Sequence, residues 1–202
     1  MNWPLAQLII LSAPSGAGKS SLARALVESM DGINVSVSHT TRPARDRERD
    51  GVDYFFLARS EFEQMIDTGR FLEYAEVFDH LYGTSRDSVN ATLADGHCVI
   101  LDIDWQGARK VRTAMPDALS IFILPPSLDV LEKRLIERGQ DNSESIQRRM
   151  QDAVSEISHR LEFDHIIVNE DFETATRELT ELIFEGRVPS SAKDFDIDTF
   201  VQ

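Results

Sequence analysis

Cysteine is almost absent from this chain of 202 residues, which holds a single one, Cys98. One thiol cannot build a disulfide framework or a cysteine-based metal centre, so the chain contains neither. Cys98 opens an apolar strand, where a small buried hydrophobe is the expected role rather than a reactive thiol. Long apolar runs are missing as well. None approaches the length of a membrane span, and the short one near the N-terminus lacks the basic flank and cleavage pattern of a signal peptide. Basic charge is scarce: 21 Lys and Arg stand against 35 Asp and Glu, for a formal net charge of −14. Such a surface repels polyanions, which argues against nucleic acid or an anionic membrane as partner. There is no internal repeat. These absences point to a cytoplasmic protein, long enough for one sizeable α/β core with inserted subdomains.

The basic residues that are present fall in groups, which leaves small anionic ligands open. Arg42, Arg45, Arg47 and Arg49 lie close together, and Arg134, Arg138, Arg148 and Arg149 cluster later. For Arg47 and Arg49, alternation with Glu48 and Asp50 reads as a solvated charged face instead.

The most informative stretch is Leu8 to Ser21. An apolar strand runs into Ala13, Pro14, Ser15, Gly16, Ala17, Gly18, Lys19, Ser20 and Ser21, and an amphipathic helix follows with Leu22, Ala25, Leu26 and Met30 at helical spacing. This is a phosphate-binding loop in its proper setting. Gly16 and Gly18 let backbone N–H groups converge on phosphate oxygens, and the helix N-terminus adds a positive dipole end. Lys19 can reach the β- and γ-phosphates, and the Ser20 hydroxyl can ligate Mg²⁺. Ala13 stands where the general pattern has its first glycine. The reading is a site for a nucleoside triphosphate.

Strands are expected at 7–12, 33–38, 98–103, 119–124 and 164–168, several of them continuous apolar runs of the kind buried in a parallel sheet. Ser60 to Glu63 reads as a capping box opening a short helix that Gly69 ends. Ser127 can cap a helix through Leu128, Leu131 and Leu135, stopped by Gly139. Ile146, Met150, Val154, Ile157 and Leu161 form an expected apolar stripe, and Asp171 opens a last helix containing Leu179, Leu182 and Ile183. Between about 38 and 93 the pattern changes. Tyr54 to Leu57 and Phe71 to Phe78 read as aromatic strands of a small separate sheet. The strand Val99 to Asp104 ends in two carboxylates. Ligands of open α/β sheets sit beyond the carboxyl ends of strands, so Asp102 is a candidate for the water shell of Mg²⁺; a turn or helix cap is the plain alternative.

These motifs resemble those of the guanylate kinase family of P-loop nucleoside monophosphate kinases. The resemblance spans about residues 7 to 185. It rests on Ser12 to Ser20, Val37 to Arg45, Asp53 to Phe56, Phe71 to Glu73, Tyr82 to Thr84, Ile100 to Gly107, Arg138-Gly139 and Ile167 to Asn169. It implies a P-loop NTPase-type α/β fold: a parallel sheet flanked by helices, an inserted α+β subdomain that binds the nucleoside monophosphate, and a helical lid. The implied divisions are a core of 1–37, 94–134 and 157–185, a GMP-binding subdomain of 38–93, a lid of 135–156, and a loose acidic tail of 186–202. The implied reaction is ATP-dependent phosphorylation of GMP, and of dGMP, with Mg²⁺.

The resemblance also assigns residues. Arg42, Arg45, Tyr54 and Tyr82 would hold the GMP phosphate, a dianion that suits guanidinium forks and phenol hydroxyls. Ordinary strand packing is the alternative for the two tyrosines. Ser38, Glu73, Thr84 and Asp104 would read guanine, with a carboxylate accepting from N1–H and the 2-amino group and a hydroxyl donating to O6. A solvated charge on an edge strand is the alternative for Glu73. Lys19, Arg42, Arg134, Arg138 and Arg149 would act on the transferring phosphoryl group, and Asn169 would lie near adenine, a turn at a strand end being its alternative. His39 is expected to serve packing or polar support. Two rivals remain: a related protein-binding module without catalysis, and a small kinase acting on a sugar phosphate. Self-association is left open.

Overall fold

A computed structural model describes residues 6–77, 79–137 and 143–191. In chain order the elements are β1 (Leu8–Ser12), α1 (Lys19–Ser29), β2 (Ile33–Val35), β3 (His39–Thr40), β4 (Phe55–Phe56), α2 (Arg59–Asp67), β5 (Phe71–Val77), β6 (His80–Ser85) and α3 (Arg86–Ala94). There follow β7 (Cys98–Asp102), α4 (Trp105–Ala114), β8 (Leu119–Leu124), α5 (Leu128–Glu137), α6 (Ser143–Ser158), a 3-10 turn (His159–Glu162), β9 (His165–Val168) and α7 (Phe172–Glu185).

Five strands form a parallel sheet in the order β2-β7-β1-β8-β9. Four of the five β1 residues are apolar, and all five are buried, as are five of the six in β8; such runs need cover on both faces, which the helices supply. Cys98 is buried at the start of β7. A second, four-stranded sheet has the order β4-β3-β6-β5. There β3 pairs parallel with β4 and antiparallel with β6, and β5 runs antiparallel to β6.

Contact density divides the chain into two compact units. One holds Leu11–Asp31 and the chain from Leu119 onward; the other holds 6–10 and Gly32–Ala118, and so includes the small sheet with β2, β7 and α4.

Several local expectations are corrected. The helix α2 is capped at Ala58 rather than Ser60: the Glu61 carboxylate accepts the Ala58 N–H at 2.9 Å, the half of a capping box that needs no hydroxyl at the cap. In α1 the buried face is Leu22, Ala23 and Leu26, with Ala25 only half-buried. The stripe of α6 holds at Ile146, Met150 and Ile157 and fails at its other two positions. Ala153 and Ile157 are buried, while Val154 is exposed and Leu161, in the 3-10 turn, is 74% exposed. A small alanine turned inward lets α6 approach α5, where Ala153 packs with Leu131 and Leu135. Gly139 lies outside the described residues.

The segment after α7 is also tied down as far as Ser191. Gly186 ends the helix at φ 64°, and the buried Glu178 then accepts from the Ser190 N–H, the Ser190 hydroxyl and the Ser191 N–H. Ser191 Oγ accepts the Val168 N–H at 3.0 Å. Residues 186–191 are therefore anchored rather than loose, and 192–202 lie outside the described residues.

In the smaller sheet the anchor is aromatic. Phe62 of α2 is fully buried and stacks on Phe71 of β5 with ring centroids 4.4 Å apart, and Leu81 of β6 completes the cluster. Phe62→Ala is expected to lower the unfolding free energy by about 3–5 kcal/mol. Urea denaturation measures it; a loss below about 1 kcal/mol would mean the pair is not the anchor.

Candidate nucleotide sites

Residues 13–18, where the spacing predicts a phosphate-binding loop, join β1 to α1, and Lys19 to Ser21 form the first turn of that helix. Gly18 sits at φ 97° and precedes Lys19, the first residue of α1. A Cβ at Gly18 would come within 2.4 Å of Asn169 Nδ2, so the position excludes a side chain twice over. No side chain caps α1 and its first turn holds no acid. By contrast α3, α4 and α7 are capped by Ser85, Asp104 and Asp171. The start of α1 thus lacks the side-chain cap and first-turn acid that would compete with an anion there. Within the loop, Ala17 N–H donates to Pro14 O at 3.1 Å. Lys19 is half-buried and Ser20 exposed.

Other elements of the same unit brace this loop. Asn169, just past β9 and 3% exposed, donates from Nδ2 to Ala17 O at 2.7 Å. Its backbone N–H donates to Leu124 O, and its carbonyl accepts from Arg134 Nη2 at 2.9 Å. Asn169 Oδ1 is buried with no hydrogen-bond partner among the described residues. Arg149 of α6 reaches the loop, its Nη1 donating to Ser15 Oγ at 3.2 Å. Arg138 lies outside the described residues.

The second group of expected residues gathers on the small sheet and α4. Arg42, just past β3, donates from Nη2 to both Glu48 oxygens at 2.7 and 2.9 Å and from Nη1 to Pro43 O. Glu48 Oε2 also accepts the Arg45 N–H at 2.8 Å. Despite the opposing pull of burial, hydrogen bonds from Arg42 hold the Glu48 carboxyl below its usual range. The Arg42 guanidinium lies 5.4 Å from the Tyr54 ring centroid, and Tyr54 and Tyr82 meet edge to face at 6.1 Å. Burial, and after it the charge of Asp102, pushes the Tyr54 phenol up to about 12. It stays an O–H donor at neutral pH, which suits a phosphate oxygen. Arg45 is exposed, and Ser38 stands just before β3 with its carbonyl accepting from Phe55 N–H.

Glu73 is the central group of this half. A register shift between Phe71 and Glu73 sets Glu73 opposite Thr84, whose hydroxyl donates to Glu73 Oε1 at 2.6 Å. Although β5 is an edge strand, Glu73 is only 5% exposed, so the solvated-charge alternative fails. The Thr84 hydrogen goes to Glu73 rather than being held for a ligand. Burial above all, and next the unfavourable neighbour Asp104, raise the Glu73 carboxyl to about 7, against the pull of the Thr84 hydrogen bond and of Lys110. Lys110 itself donates to Tyr74 O and lies 4.3 Å from the Tyr74 ring centroid. Asp104 is the N-cap of α4: Oδ1 accepts Gly107 N–H at 2.9 Å and Oδ2 accepts from Gln106. Asp102, half-buried, ends β7. His39 packs as expected, stacked on Phe55 at 4.7 Å, and burial lowers its pKa so that it stays neutral.

Two supporting residues escape a reading by sequence. Glu48, read from its alternation as part of a solvated face, organises Arg42 and Arg45; its spacing of six from Arg42 in a loop carries no periodic signal. Gly107 is the other. A Cβ there would lie 2.6 Å from Glu73 Oε2 and 3.2 Å from Asp104 Oδ1.

The fold and the open loop at α1 define a P-loop nucleotide-binding α/β protein. Comparison with known proteins gives the family. The sequence model described as guanylate kinase matches residues 5–186. A guanylate kinase of Pseudomonas fluorescens is 56% identical over 172 residues, covering 85% of this chain and 84% of the relative. One of Hahella chejuensis is 54% identical over 187 residues, covering 93% and 90%. The crystal structure of guanylate kinase from Anaplasma phagocytophilum superposes with a TM-score of 0.75 at 36% identity, covering 89% of this chain and 85% of that one. The chain belongs to the guanylate kinase family.

Two predictions follow from Glu73. Its folded pKa of about 7 lies above the ordinary glutamate value of 4.5. From pH 4.5 to 7 the native state holds a proton that the unfolded chain has lost, so stability falls as pH rises, and the penalty is complete above 7. Glu73→Gln removes it: the variant should be more stable to unfolding than wild type at pH 8, by up to about 3 kcal/mol in denaturant titrations, with the gap closing towards pH 4.5. A gap that widens on acidification would contradict this. Gly107→Ala should fold with a near-normal Tm, since alanine is the better helix former, while displacing the Glu73 carboxylate. The KM for GMP should rise about tenfold with the KM for ATP unchanged. An unchanged GMP KM in steady-state kinetics would show that the Glu73 position is not critical.

Proposed function

We propose a division of labour between the two groups of residues in an enzyme that transfers the γ-phosphoryl group of ATP to GMP, giving ADP and GDP. The observation that carries it is the buried Glu73–Thr84 pair on the sheet that also holds Arg42, Tyr54 and Tyr82. Guanine offers N1–H and the 2-amino group as adjacent donors, which a carboxylate accepts; adenine lacks the amino group and has an acceptor at N1. A site of this kind can discriminate by about 10⁴–10⁵. Ser38 and Asp104 are assigned to the same base, and dGMP, with the same base and phosphate, is proposed as a second acceptor.

Arg42, Arg45, Tyr54 and Tyr82 are proposed to hold the acceptor phosphate. Its oxygen attacks Pγ as the bond from Pγ to the β,γ-bridging oxygen breaks. That oxygen is already ionised, so no general base is needed. On the donor side the loop amides, Lys19, Arg134, Arg138 and Arg149 would stabilise charge on the transferring group, which is where rate arises in phosphoryl transfer. The buried Asn169 Oδ1 is an acceptor suited to the amino group of adenine. Residues 38–93 are proposed as the GMP-binding part and 135–156 as the lid.

Among the described residues no group of three or more His, Cys, Asp or Glu is arranged to hold a metal. This donor set suits Mg²⁺ held chiefly by phosphates and water, with Ser20 and, through water, Asp102 as protein donors. Bound there, it would neutralise and bridge phosphate charge. Among the described residues no helix is long and apolar enough to cross a membrane. The proposed setting is the cytoplasm, in keeping with the buried free thiol.

The test is a coupled assay of the purified chain with GMP, dGMP, AMP and ribose phosphates. ADP release with GMP and dGMP alone is expected. No turnover with any acceptor would favour the protein-binding module, and turnover with ribose phosphates the sugar-phosphate kinase. Lys19→Met, which keeps length and apolar stem, should stay folded and lose nearly all turnover. Near-normal GDP formation by that variant would overturn the loop's role.

A further inference from the structure

The reading above engages α6 through Arg149 alone, yet this helix meets the phosphate loop at two points. Arg149, Ala153 and Glu156 follow at i, i+4 and i+7 and so share one face. Ala153 is fully buried with Leu131 and Leu135 of α5. A Cβ built on Gly16 would lie 2.9 Å from Leu131 Cδ1 and 3.0 Å from Leu135 Cδ2, so loop, α5 and α6 meet without spare room. From either side of Ala153 the helix sends a polar group to the same loop residue. Arg149 Nη1 donates to Ser15 Oγ at 3.2 Å, and the Ser15 N–H donates to Glu156 Oε2 at 3.2 Å.

We propose that Glu156 is a positioning residue for the donor nucleotide: by accepting the Ser15 N–H it fixes the orientation of that peptide and keeps Arg149, two helical turns away, in register with the loop. A carboxylate beside a polyphosphate site costs repulsion, and an N–H given to Glu156 is withdrawn from the ligand. What offsets these costs is preorganisation. A loop whose function is to converge its amides loses most when one peptide can rotate, because the flanking N–H groups turn with it. The Arg149 charge on the same face counters the added negative charge.

The proposal rests on the loop being the ATP site, and its test separates the two. ATP and GMP are varied independently in steady-state assays of Glu156→Ala, Glu156→Asp, Glu156→Gln and Lys19→Met, with thermal melting of each. Glu156→Ala should raise the KM for ATP about tenfold and leave the KM for GMP within about twofold. Glu156→Asp keeps the charge and folds readily, but is one methylene too short, and should shift the ATP KM in the same direction. Glu156→Gln retains a side-chain carbonyl that can accept the N–H, and should stay within about threefold of wild type. An unchanged ATP KM in Glu156→Asp overturns the proposal, as does an equal rise in both KM values accompanied by a lower Tm. If Lys19→Met is inactive while the Glu156 variants are silent, only this proposal fails. If Lys19→Met remains active, the donor-site reading fails with it.

Discussion

The start of α1 carries no side-chain cap, and one unit of the chain braces the loop that leads into it. A helix start normally satisfies its N–H groups with a side-chain cap, as α3, α4 and α7 do. At α1 glycine replaces the cap, and the loop is held from outside instead. Asn169 grips the Ala17 carbonyl, α5 leucines press against Gly16, and α6 contacts Ser15. Each brace comes from a different element, so strand end, helix packing and loop conformation are coupled.

The other unit carries a different burden, a buried acid. Glu73 is held by one hydroxyl and placed against the first turn of α4, where only glycine leaves room. The Glu48–Arg42 pair follows the same logic with charges reversed. A carboxylate accepts two guanidinium hydrogen bonds and thereby aims the remaining donors. In both places a polar group is kept in an orientation it would not choose in water, so a ligand met there would be spared that reorganisation.

Legibility in the sequence followed the range of the forces involved. The loop, α1 and the strands β1, β7 and β8 could be read because glycine placement and apolar runs are local signals. The site residues on the small sheet came only through family resemblance. Nothing periodic links Glu73 to Thr84, whose pairing depends on a bulge, or Glu48 to Arg42, which meet through an irregular loop. The stripe on α6 was misjudged at Val154 because size, not hydrophobicity, decides the contact with α5 there: Ala153 goes in and Val154 stays out. The α2 cap was misplaced because a glutamate can supply its half of the motif to any backbone, alanine included.

The clamp of Glu178 on Ser190 and Ser191 has a consequence for solubility. β9 lies at the border of the five-stranded sheet, and a border strand presents donors and acceptors that a foreign strand can adopt. Ser191 occupies one of those donors, the Val168 N–H, with a side chain instead of a strand. A neighbouring molecule that sought to extend the sheet would have to displace the Ser191 hydroxyl, whose segment is tied to the buried Glu178 by the Ser190 hydroxyl and the Ser190 and Ser191 N–H groups. The short segment after the last helix therefore covers part of the sheet border beside Asn169, at a donor that an incoming strand would need.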